Sequence, residues 1–109
     1  MRTLRFIVDG QIITQDPNCD FSNLVPGTEG YIQAEFRFSS EWMRCVKVAA
    51  FYSITGEELT PQPLSDRNIC KIPSDALKRR NFKIRVLGKS PEFTLTTDKV
   101  LVQQTGGKS

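Results

Sequence analysis

The residues able to do chemistry in this chain are few, and their spacing does not favour it. Histidine is absent from all 109 residues. That removes the commonest general base, the commonest metal ligand and every Ser–His or Cys–His nucleophile arrangement. Two carboxylate sets remain, Glu57 with Glu58 and Asp16 with Asp20. Both fall in polar, loop-like stretches where water keeps carboxylates ordinary, so solvated charge is preferred to acid/base catalysis. Asp16, Asp20 and neighbouring carbonyls have the oxygen chemistry for calcium but lack EF-hand spacing. The ending GGKS imitates a phosphate loop, yet the position that must be glycine is Val102 and no helix follows.

The three cysteines, Cys19, Cys45 and Cys70, are odd in number and lack CxxC spacing. This argues against a disulfide framework and against a zinc site. Cys45 and Cys70 lie in strand-like runs and read as small buried hydrophobes, whereas Cys19, in DPNCDFSN, reads as an exposed thiol. No catalytic residue, metal or cofactor is assigned, and the chain is read as a non-enzyme. Basic residues offer one further possibility: Lys78, Arg79, Arg80, Lys83 and Arg85 form a candidate patch for phosphates. The competing account is preferred. It puts the first three at the end of a short helix and the last two on the outward face of a strand.

The elements that must position these residues are strands. Asp9-Gly10 between RTLRFIV and QIIT predicts a hairpin with a type I′ turn. Residues 15–30, rich in Asp, Asn, Pro and Gly, predict a long connection with a short extended piece at 21–25. From Tyr31 to Phe38 the alternation is clean, with Ile32, Ala34, Phe36 and Phe38 on one face. SSEW turns the chain and Trp42 caps the core. Along 44–53 both alternating faces carry apolar residues, as expected of a central strand. Prolines 61 and 63 confine their segment to an edge or a loop. NICKI is a strand with Cys70 and Ile72 inward. SDALKRR predicts one helix near residues 74–80, with Ser74 as N-cap and Leu77 holding it down. NFKIRVLG follows with Phe82 and Ile84 inward, then a final strand broken near 97–99.

Seven or eight short strands without helical crossovers predict an all-β fold, an antiparallel β-sandwich, with a small barrel as its rival. One domain is expected over 1–104, with 105–109 a flexible tail. A core of this size needs no staples. No apolar run approaches a membrane span, no signal peptide is read at MRTLRFIVDG, and a net charge of +3 is too mild to diagnose nucleic-acid binding. Phe21, Tyr31, Pro61 and Pro63 are the candidate protein contacts.

The succession FRFSSEW, KVAAFY, ICKIPSDAL, NFKIRVLG and FTLTTDKVLVQQTGG resembles short proteins of tailed phages and prophages of Gram-positive bacteria. Shared features are the Phe-Ser-x-x-Trp strand end, the Cys-x-Ile-Pro-x-x-x-Leu corner and the late Thr-Thr segment. The resemblance covers the chain from Tyr31 onward. It implies an immunoglobulin-like module associated with a tail, baseplate or decoration site, made in the host cytoplasm and carried in the virion. Its partners would be other protein subunits, further copies of itself included. The alternatives carried forward are a small phage inhibitor of a host defence protein or enzyme, a nucleic-acid-binding module and, more weakly, a carbohydrate-binding sandwich.

Overall fold

A computed structural model of the chain describes residues 1–106. Nine strands form two sheets, an all-β sandwich. One sheet has four strands, in the order β2 (Ile12–Gln15), β1 (Arg2–Asp9), β3 (Ile32–Phe38), β6 (Ile69–Lys71). The other is built on β4 (Val46–Ser53) and β7 (Asn81–Lys89). There β5 (Gln62–Pro63) lies outside β4, while β8 (Thr94–Thr96) and β9 (Val100–Gln103) share the far edge of β7. The count exceeds seven or eight because the broken final strand pairs as two pieces and the proline segment contributes a two-residue edge strand.

The hairpin is present, with its loop one residue later than expected. Asp9 pairs with Ile12, so Gly10 and Gln11 make the turn. Only Gly10, at φ +60°, has positive φ there, the type II′ requirement rather than type I′. A second departure concerns strand direction: β3 runs parallel to β1, in register from Arg2↔Ile32 to Val8↔Phe38. Parallel neighbours need a long crossover, and residues 16–31 supply it. That crossover contains no strand at 21–25. It is held instead by the Arg2 guanidinium, which donates to the carbonyls of Asp20, Ser22 and Asn23, and by buried Leu24.

Alternation in β1, β3, β4 and β7 places Leu4, Phe6, Ala34, Phe36, Ala49, Phe51, Phe82 and Ile84 between the sheets, all buried. Phe6 stacks on Phe36 at 5.4 Å. Cys70, Ile72 and Leu77 are buried as expected. Phe38, expected in the core, is only half-buried, because β6 pairs with β3 no further than Glu35. Its ring leans on Trp42 at 5.2 Å.

Trp42 closes one end of the sandwich from a 3-10 turn, Ser40–Trp42. It is fully buried, and its indole N–H donates to the Gly10 carbonyl at 2.8 Å. Gly88 on β7 makes room for it: a Cβ there would lie 2.6 Å from the Trp42 ring. Gly88→Ala is therefore expected to cost about 1–3 kcal/mol through overpacking, read as a lower urea midpoint at unchanged slope.

The helix α1 (Ser74–Leu77) is four residues long, not seven, and its N-cap is Pro73 rather than Ser74. The carbonyls beyond it are claimed by Gln104. Its side-chain amide donates to Leu77 and Arg79 and its backbone N–H to Arg80, so the chain enters β7 at once. Further along, Gly106 donates to the Leu24 carbonyl. The rest of the predicted tail, residues 107–109 with the Gly-Lys-Ser ending, lies outside the described residues.

Candidate interaction surface

Three of the four carboxylates have structural partners. An Asp16 carboxylate oxygen accepts the Asn18 amide. Asp20 accepts the Ser22 hydroxyl and amide, and these bonds hold its carboxyl below the usual carboxylate range. Glu57 pairs with Arg79 at 3.4 Å. Among the described residues no group of three or more metal-ligating side chains converges.

The cysteines divide as their surroundings dictate. Burial pushes the Cys70 thiol up to about 12, and Cys45 is also buried. Cys19 is half-buried rather than exposed, with its sulfur accepting the Arg5 amide at 3.3 Å. A bulky thiol reagent is expected to modify Cys19 alone in the native protein and all three cysteines in denaturant. Mass spectrometry of the labelled chain reads the count.

Sheet edges are the first place to seek a protein contact, because unpaired N–H and C=O groups invite an added strand. Two of them are blunted here. The Asp98 carboxylate accepts the Ile13 amide at 2.9 Å and the Asp98 amide donates to the Gln11 carbonyl, covering β2. Gln15 adds a bond to the Leu101 carbonyl. The edge at β5 is two residues long and contains Pro63.

The outer face of the five-stranded sheet is unlike an ordinary solvated face. Residues 49, 51 and 53 of β4 point into the core, so Val46, Val48, Ala50 and Tyr52 point out. On β7 the opposing residues are Lys89, Leu87, Arg85 and Lys83, in that order. Pro63 lies beside Val48. Val46 is 76% exposed, and with Val48, Leu87, Thr94 and the stem of Lys89 it lines a shallow, mostly apolar depression of about 540 Å³. A solvated sheet face is normally polar; here Val46 is exposed while Val48 and Leu87 are half-buried beside it.

The other half of that face carries most of its cations, with the exposed Leu101 beside Lys83. The Lys99 ammonium sits 4.0 Å over the Tyr52 ring and the Arg85 guanidinium 5.7 Å from it. Arg85 is fixed by donating to the Thr97 carbonyl at 3.1 Å. Buried Thr97 in turn accepts the Val86 amide. Among the described residues no carboxylate lies within ion-pair distance of Lys83, Arg85, Lys89 or Lys99.

The residues singled out from sequence are thus dispersed. Pro63 borders the apolar half, and Pro61 is exposed just ahead of it. Tyr31, 53% exposed, precedes β3 in the other sheet. Phe21 is not a free contact, because its ring packs edge-on against Phe6 at 5.4 Å. The basic stretch splits by duty. Arg79 is spent on Glu57 and the Asp75 carbonyl, Lys78 and Arg80 are exposed around the helix end, and Lys83 and Arg85 alone belong to the cationic half. Lys99 and Tyr52 escaped the sequence reading. The doubly apolar alternation of 46–52 was the available signal for the face, and nothing local links Lys99 to Tyr52.

Fold and surface together define a two-sheet β-sandwich with one half-apolar, half-cationic outer face. Comparison with protein-family models, with curated proteins and with solved structures finds no match.

Proposed function

We propose that this chain is a non-enzymatic structural or accessory module of a phage particle, working through protein–protein contacts on the outer face of the five-stranded sheet. The observation that carries the contact reading is Val46, held 76% exposed by a well-packed strand, in an apolar depression where a free-standing sandwich would present polar groups. The motifs from FRFSSEW to FTLTT supply the phage context by resemblance. Small modules of this kind suit a symmetric assembly, in which one surface is used once per copy.

Mass spectrometry and electron microscopy of purified particles test the proposal. The chain is expected in the virion at a fixed ratio to other structural proteins. Its absence from particles, with recovery instead on one stoichiometric host protein from infected cells, would replace the virion role with that of an intracellular inhibitor.

A further inference from the structure

We infer that the outer face of the five-stranded sheet receives an extended segment of a partner protein, apolar at one end and acidic at the other. This rests on the protein-contact reading above and not on the phage context. Four observations lead to it. From Val46 to Tyr52 the outward residues span about 20 Å at the rise of a β-strand, a length that six or seven extended residues match. Apolar side chains predominate at one end, where Val46, Val48 and Leu87 stand with Lys89 beside Val46, and cations at the other, where Arg85, Lys83 and Lys99 surround Tyr52 with Leu101 beside Lys83. Among the described residues no carboxylate pairs with these cations, although Glu58 bridges Tyr52 at the edge of the same face, so they are open to an acidic partner. Arg85 is anchored by Thr97 and Lys99 rests on Tyr52, so part of their ordering precedes binding.

Two other occupants fit less well. A second copy packed face to face by a two-fold axis would bring like charges onto the same interface, since an isologous contact repeats the same patch. A nucleic acid would meet the cations but leave Val46, Val48 and Leu87 against phosphate and sugar. Tyr52, 7% exposed beneath Lys99, offers no open ring for base stacking.

The test uses the full chain and a fluorescein-labelled synthetic peptide of four aliphatic residues followed by four glutamates, read by fluorescence anisotropy. Saturable binding is expected, weakening as salt rises. Val46→Asp, at an exposed position, and the pair Lys83→Glu with Lys99→Glu are each expected to weaken it about tenfold or more. Arg37→Glu, on the other sheet, is expected to leave it unchanged. Melting curves confirm that every variant is folded. Failure of the peptide to saturate would overturn the inference, as would equal binding of a peptide ending in lysines. So would tighter binding of a single-stranded oligonucleotide that is indifferent to Val46→Asp, or a dimer dissolved by Val46→Asp in place of peptide binding. Loss of peptide binding with the chain present in particles would remove this occupant alone. Binding with the chain absent from particles would remove the virion role alone.

Discussion

Trp42→Ala is expected to be the most damaging single change, lowering the unfolding free energy by about 3–5 kcal/mol. Three losses combine. The largest buried side chain leaves a cavity, the Gly10 carbonyl loses the indole donor, and Phe38 loses the ring it leans on. Small domains hold only about 5–15 kcal/mol in all, so the variant sits near the limit of folding, and denaturant titration reads the loss. Trp42→Phe separates the terms by keeping much of the volume while removing the hydrogen bond. A double-mutant cycle with Gly88→Ala tests the packing directly. The cost of a methyl at position 88 should shrink when Trp42 is absent, because the ring it strikes at 2.6 Å is gone.

Gln104→Met is the second large effect, about 1.5–4 kcal/mol at nearly constant volume. Gln104 is fully buried, and its amide serves the carbonyls of Leu77 and Arg79 at 2.7 Å each. Methionine fills the space but removes both donors: the Arg79 carbonyl is left unpaired, at about 1–3 kcal/mol, while the Leu77 carbonyl keeps the Gly27 amide and loses one bond of about 0.5–1.5 kcal/mol. Hydrogen exchange should locate the damage at α1 and the start of β7, while the hairpin at Gly10 keeps its protection. A uniform loss of protection would show that Gln104 supports the whole sandwich and not this corner.

The architecture was legible where one periodicity had one explanation. Ile32, Ala34 and Phe36 alternate against Gln33, Glu35 and Arg37, and burial follows that pattern along β3. Phe82, Ile84 and Val86 do the same on β7. Prolines 61 and 63 ruled out a central strand, and a two-residue edge is what remains. Strand direction was not legible, because alternation is identical in parallel and antiparallel strands. Only the length of the 16–31 crossover hinted that β3 returns beside β1 in the same sense. The helix was read too long because Lys78, Arg79 and Arg80 suit a helix C-terminus. The residue that ends it, Gln104, lies in a distant segment of sequence. The surface was half legible. Both alternating faces of 44–53 carry apolar residues, Val46, Val48 and Ala50 on one and Cys45, Ala49 and Phe51 with Lys47 on the other, and alternation alone does not say which is buried. Lys99 over Tyr52 is a tertiary contact between a loop and a strand, and composition carries no trace of it.

The outer face of the five-stranded sheet is the proposed docking surface of this sandwich. Photo-crosslinking inside assembled particles tests it most directly, with a benzophenone amino acid at position 48 and, separately, at position 37 on the opposite sheet. The account predicts one discrete protein adduct from position 48, mapping to an acid-rich segment of a neighbouring particle protein, and none from position 37. Adducts from position 37 with none from position 48 would contradict it.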